Sequence, residues 1–173
     1  RYPHAAIGSV MGRFFAMDRD GNWDRTNRAY RLLVEGAGEP FHDAAAFVRS
    51  SYEKGITDEF LEPGYAAGED NNTPAGCIQD GDAIVYWDFR EDSARQLTAA
   101  FVQDTFSGFE RKKLANIFFV TMTEYDKAFP AHVAFPPIEI LWPLSRVIAD
   151  ASKKQLHVAE TEKYAHVTYF FNG

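Results

Sequence analysis

The chain has little cysteine, no long apolar run and a shortage of positive charge, and each deficit excludes something. Its single cysteine, Cys77, leaves no partner for an intrachain disulfide, and the thiol reads as idle or buried. No apolar stretch has the length of a membrane-spanning helix and no signal peptide is legible, so the chain reads as cytoplasmic, with no membrane as partner. Eighteen Lys and Arg against 25 Asp and Glu leave a formal net charge of −7, which opposes binding to nucleic acid or to an anionic lipid surface. Any anion this chain holds must therefore meet a local cluster of cations.

The usual catalytic strings are also missing. There is no serine-centred nucleophile motif, no glycine-rich phosphate loop, no C-x-x-C pair and no H-E-x-x-H helix. The five histidines, His4, His42, His132, His157 and His166, lack ligand spacing and read as structural. Asp18, Asp20, Asn22 and Asp24 alternate like a calcium loop, but Trp23 stands where that loop needs glycine and Ala29 where it needs a bidentate carboxylate. Asp80 and Asp82 flank Gly81 as a turn does. No catalytic residue and no metal ligand is expected within the chain.

What is present is a globular composition over 173 residues: 46% hydrophobic, 25% charged and 15% aromatic. A chain of this length buries roughly two-thirds of its unfolded surface if it is self-contained. Ala5 to Val10 and Gly12 read as a strand passing into a loop that carries Arg13 to Asp20. Helical spacing of Trp23, Tyr30, Leu33 and Val34, stopped by Gly36 and Gly38, predicts one helix. Asp43 caps a second, consecutive helix running through Tyr52 towards Gly55. Residues 56–82 hold too many breakers, Asn71 and Asn72 among them, for more than one short strand near Gly76-Cys77-Ile78.

Ala83 to Phe89 is an almost unbroken apolar run and predicts a buried strand, followed by a helix from Asp92-Ser93 to about Gln103 and a second buried strand over Ile117 to Met122. Pro136-Pro137 interrupts any continuing helix and places a domain boundary near 133–138. Beyond it, Pro143 opens a helix to about Lys154, Leu156-His157-Val158 reads as a strand, and Glu160 to Phe171 as a further helix. Alternating strands and helices predict an α/β fold, a layered sheet with flanking helices, whose ligands sit at the carboxyl ends of the strands.

Arg13 and Arg19 bracket Phe14-Phe15-Ala16-Met17-Asp18, and guanidinium forks match phosphate and carboxylate in a way that lysine does not. Arg90 lies between a strand and a helix start whose free amides also attract anions. The alternative for all three is an exposed arginine paired with a neighbouring carboxylate such as Asp18, Asp20, Glu91 or Asp92. Lys163, beside Glu160 and Glu162, reads by default as one half of a helix-surface ion pair, and otherwise as a phosphate contact.

Several strings in order, Ser9 to Arg25, Thr57-Asp58-Glu59-Phe60, Asp80-Gly81-Asp82, Phe89-Arg90, Arg95-Gln96, Ala134 to Pro137 and Ala159 to Phe171, resemble the cofactor-independent (2,3-bisphosphoglycerate-independent) phosphoglycerate mutases of the alkaline-phosphatase superfamily. In that family a phosphatase-like domain with two manganese ions and a nucleophilic serine carries an inserted phosphotransferase domain. The resemblance implies that residues 1–135 are the C-terminal part of the inserted, substrate-binding domain. Residues 136–173 are then the hinge and the start of the return into the phosphatase-like domain. It assigns Arg13, Arg19, Arg90 and Lys163 to substrate binding, with Ser93, Asp92 and Arg95 as secondary candidates. The expected substrates are 3-phosphoglycerate and 2-phosphoglycerate, interconverted by a monomer through a phosphoserine, with no requirement for 2,3-bisphosphoglycerate.

One departure stands out. Members carry Arg-Pro-Asp-Arg where this chain has Arg90-Glu91-Asp92-Ser93, so a second guanidinium is replaced by a hydroxyl. Losing one charged phosphate contact costs about 1.5–3 kcal/mol of grip. Because metal ligands and serine have no counterpart here, the chain alone is expected to be inactive. Two other readings remain at this point: a non-catalytic anion-binding module, and a related phosphomutase for another substrate.

Overall fold

The computed structural model of the chain describes residues 4–69 and 73–172, with only the backbone at Glu162. Asp70, Asn71 and Asn72, with Arg1 to Pro3 and Gly173 at the ends, lie outside the described residues. The chain divides into two compact units, Arg1–Pro136 and Pro137–Gly173.

In the first unit, strand β1 (Ser9–Val10) leads through Gly12 into α1 (Arg13–Ala16), a single helical turn where a loop was expected. The turn forms because the Gly12 carbonyl accepts from the amides of Phe15 and Ala16 at 3.1 and 3.3 Å while the Phe15 ring is buried. Arg13 thus opens the helical turn, and Arg19 sits on the loop after it. Helix α2 (Trp23–Glu35) follows as predicted, burying Ala29, Tyr30 and Val34 and ending at Gly36 in the left-handed region, φ 68°.

The next two helices are not consecutive. A three-residue strand, β2 (Glu39–Phe41), intervenes before α3 (Ala44–Glu53). It carries Pro40 and has no periodicity to betray it, and it is tolerated because β2 is an edge strand. Asp43 caps α3 as predicted, its Oδ1 accepting from the amides of Ala45 and Ala46 at 2.8 and 3.1 Å. Asp43→Ala is expected to lower the urea midpoint by leaving the first-turn amides uncapped, and an unchanged midpoint would contradict that assignment.

The strand expected at Gly76 to Ile78 forms instead at β3 (Gly64–Ala66), completing a small sheet of order β1-β3-β2. Gly64 permits this, since a Cβ there would come within 2.5 Å of the Phe47 ring. Ile78 is held by its amide on the Leu33 carbonyl at 2.8 Å.

A second, parallel sheet has the order β4-β5-β6. It is built from β4 (Ala83–Tyr86), β5 (Phe118–Thr121) and β6 (His132–Val133), with α4 (Glu91–Val102) following β4. The core lies where Phe101 of α4, Tyr30 of α2 and Phe119 of β5 meet, with ring centroids of Tyr30 and Phe101 4.8 Å apart and of Phe101 and Phe119 5.6 Å apart. The two strands are not buried on both faces, contrary to expectation. Val85 is 57% exposed and Phe118 51%, so the apolar run covers an inner face and also forms an outer one.

In the second unit, Pro143 precedes α5 (Leu144–Asp150). Leu156 to Val158 form no strand, having no neighbour to pair with in this unit; the His157 ring instead meets the edge of Phe171, centroids 4.7 Å apart. The helix expected over Glu160 to Phe171 is broken into a short turn at Thr161–Lys163, α6 (Tyr164–Val167) and a turn at Phe170–Asn172. Among the described residues, no helix is long and apolar enough to cross a membrane.

Candidate functional site

The carboxyl end of β4 is held rigidly before any ligand arrives. Tyr125, almost fully buried, donates its hydroxyl to the Tyr86 carbonyl at 3.1 Å and also to that of Asp88. Asp88 in turn accepts from the Arg90 amide at 2.7 Å, and α4 starts at the next residue. Arg90 therefore leaves a fixed backbone at the strand end, the place where open parallel sheets gather ligands.

Arg19 reaches the same point from a different segment. Its loop is anchored by Asp18, which accepts from the Asn22 amide and side chain, both at 2.8 Å, and from Gln96 Nε2 at 2.9 Å. Gln96 also donates to Thr26 at 3.0 Å and accepts the Gly21 amide at 2.8 Å, tying the loop to α4. The two guanidinium groups converge on Asp92 in the first turn of α4. Arg19 Nη1 donates to Oδ2 at 2.7 Å, while Arg90 donates from Nε to Oδ1 at 2.8 Å and from Nη2 to Oδ2 at 3.2 Å. A guanidinium has five N–H donors, so each arginine keeps several for an incoming anion, and both side chains are exposed to receive it.

The other candidates are placed differently. Arg13 donates to Glu59 Oε2 at 2.7 Å, at the opposite end of the α1 turn from the Arg19 loop. Ser93 is buried with its hydroxyl turned to Asp88 Oδ2 at 3.3 Å and the Arg90 carbonyl at 3.2 Å. Arg95 is occupied by the Tyr125 carbonyl at 2.7 Å and Glu91 at 2.8 Å. Lys163 lies in the second unit, exposed on the Thr161–Lys163 turn. Asp80 and Asp82 accept backbone amides of Ala115 and Gln79, both at 2.8 Å, around the Gly81 turn. Among the described residues no three His, Cys, Asp or Glu side chains gather in a way that could hold a metal ion.

Sequence reasoning missed Asp18 and Gln96 as the anchors of the Arg19 loop. The available signal was a polar Gln96 at helical spacing with Ala94, Leu97 and Ala100, where a buried amide must find partners.

Burial pushes the carboxyls of Asp18 and Asp92 up, but hydrogen bonds outweigh it: Asn22 and Gln96 hold Asp18 below the ordinary carboxylate range, and Arg90 and Arg19 do the same for Asp92. A depressed folded pKa contributes stability that is complete above the unfolded value of about 3.9 and is lost as pH falls through the folded one. The urea midpoint is expected to be flat from neutral pH to about pH 5 and to drop below about pH 4. Asp18→Asn should flatten part of that acid limb; an unaltered limb would contradict the assignment.

The BPG-independent PGAM N-terminus family matches residues 1–127. The chain is 51% identical over 169 residues to a 2,3-bisphosphoglycerate-independent phosphoglycerate mutase of Moorella thermoacetica, covering 97% of this chain and 33% of the relative. It is 48% identical over 170 residues to that of Salinibacter ruber, covering 96% and 32%. A phosphoglycerate mutase of Leishmania mexicana, solved at low cobalt concentration, superposes with a TM-score of 0.79 at 32% identity, over 98% of this chain and 32% of that one. The chain thus spans about a third of the length of these relatives. Its α/β fold of small sheets with flanking helices is that of the structural relative, and the sequence match extends over most of its length. The chain belongs to the BPG-independent PGAM N-terminus family, that of the 2,3-bisphosphoglycerate-independent phosphoglycerate mutases.

Proposed function

We propose that this chain is the substrate-clamping part of an enzyme that interconverts 3-phosphoglycerate and 2-phosphoglycerate, an intramolecular phosphotransferase. Residues 1–135 serve as the C-terminal part of an inserted phosphotransferase domain, and residues 136–173 as the hinge and the return into a phosphatase-like domain. The observation that carries this reading is the convergence of Arg19 and Arg90 on one carboxylate at the end of β4, with donors to spare. Phosphoglycerate carries a phosphate and a carboxylate, and guanidinium forks bind both with charge-assisted hydrogen bonds.

In this reading Arg19 and Arg90 grip the phosphorylated acid, with Arg13 as a further contact, and Lys163 is the substrate-binding residue contributed by residues 136–173. Held cations neutralise the charge that spreads over the transferring phosphoryl oxygens. They also keep the glycerate in place while it reorients between departure and return of the phosphoryl group. Arg95 and Ser93 act here as structure, so the grip has one guanidinium fewer than the Arg-Pro-Asp-Arg pattern provides. The serine nucleophile and the ligands of two manganese ions belong to the portions its relatives possess beyond this chain. The enzyme is monomeric, cytoplasmic and independent of 2,3-bisphosphoglycerate.

The test is an assay of 3-phosphoglycerate conversion by this chain placed within the full length its relatives have. The expected result is mutase activity that needs no added 2,3-bisphosphoglycerate, disappears on chelation and returns with manganese. A folded, metal-loaded protein without activity would refute the reading.

A further inference from the structure

Arg19 and Arg90 are supplied by segments far apart in the chain, and among the described residues Asp92 is the one side chain hydrogen-bonded to both. Two guanidinium groups brought to one place repel each other, and long arginine side chains lose rotamer freedom when they are held. Asp92 answers both difficulties. Its two oxygens accept from both arginines, which cancels part of the repulsion and fixes the angle between the forks. The carboxylate itself is steadied by the Ser93 amide on Oδ1 at 2.8 Å and by its place in the first turn of the 12-residue helix α4, where negative charge is favoured. Asp92 is only partly buried, and neither arginine's remaining donors are engaged by other described residues.

We propose that Asp92 is a positioning residue. It holds Arg19 and Arg90 as one pre-set pair of guanidinium groups, so that substrate meets an assembled site and does not have to gather two mobile cations. Asp92 does not itself contact substrate. This rests on the phosphoglycerate-clamp reading above. It reassigns Asp92 from a secondary substrate contact to the residue that spaces the two principal ones.

The test compares Asp92→Asn with the parent protein, in the full-length context, by steady-state kinetics with 3-phosphoglycerate. Asparagine keeps an oxygen for the Ser93 amide but removes the charge that both arginines share. KM is expected to rise about tenfold with kcat changed much less, in keeping with the strength of charge-assisted pairs. In an Arg19→Ala background the same substitution is expected to add less than a twofold effect, because the pair is already broken; a merely structural role for Asp92 would give the full effect in both backgrounds. Should Asp92→Asn fail to fold, Asp92→Glu, which keeps the charge and displaces it by one methylene, is expected to raise KM as well. An unchanged or lowered KM, with Arg19→Ala and Arg90→Ala still impaired, would overturn this inference alone and make Asp92 a plug that substrate displaces. If neither arginine substitution matters, the clamp reading falls and takes this inference with it.

Discussion

Arg90→Ala in the full-length context is expected to lower kcat/KM for 3-phosphoglycerate by roughly 10²–10⁴-fold. Arg90 leaves a backbone locked by Tyr125 and Asp88, and two of its nitrogens are spent on Asp92, leaving the outer donors for the ligand. Hydrogen bonds to charged groups contribute about 1.5–3 kcal/mol each, and about 1.4 kcal/mol is a factor of ten, so losing two of them gives the stated range. Substitution also leaves Asp92 with half of its counter-charge, which weakens the hold on Arg19. Arg90→Lys should recover only part of the loss, because a point charge cannot serve Asp92 and a ligand with one planar fork. Steady-state kinetics of the three proteins decide the matter, and a loss below threefold for the alanine variant would contradict the assignment.

Gly12→Ala should cost about 3 kcal/mol of stability, at the upper end of what overpacking usually does. The reason is space and not backbone conformation, since Gly12 has φ −74° and ψ 154°, values open to any residue. A Cβ there would lie 2.2 Å from the Glu59 carbonyl oxygen and 2.6 Å from the Leu61 amide nitrogen. Both are backbone atoms, so no flexible side chain can give way. Separating the two segments would also stretch the bond from the Gly12 amide to the Leu61 carbonyl, now 2.7 Å, and draw Arg13 away from Glu59. Urea denaturation measures the effect, and a loss under about 0.5 kcal/mol would contradict the close approach.

The parts of the fold that sequence made legible are those whose signals are local. Helix α2 announced itself through its apolar spacing and Gly36, and α3 through Asp43, whose carboxylate sits on the amides of the first turn. Strands β2 and β3 have three residues each, too few for an alternation to register, and their pairing is decided by chain contacts far apart in sequence. The apolar run at Ala83 to Phe89 correctly marked β4 but misled about burial: Trp87 is 76% exposed, and residue type alone does not say whether a second layer covers a strand. Leu156 to Val158 had strand-like composition without a partner to pair with.

The same division holds for the candidate site. Arg13, Arg19 and Arg90 were visible as residue types suited to phosphate, yet nothing local says that Arg19 meets a carboxylate 73 positions away. Nor does spacing reveal that Ser93 turns inward to Asp88, or that Arg95 is spent on the Tyr125 carbonyl. The buried Asp18 and Gln96 pair was missed for the same reason: its partners come from α2, α4 and the loop between α1 and α2.

The measurement that tests the account most directly is a crystal structure of this chain, within the full length of its relatives, bound to 3-phosphoglycerate. The account predicts anionic oxygens of the ligand at about 3 Å from the outer nitrogens of both Arg19 and Arg90, with Asp92 still lying between the two guanidinium groups. A phosphoglycerate seated elsewhere, with the arginine pair closed on Asp92 and free of ligand, would contradict it.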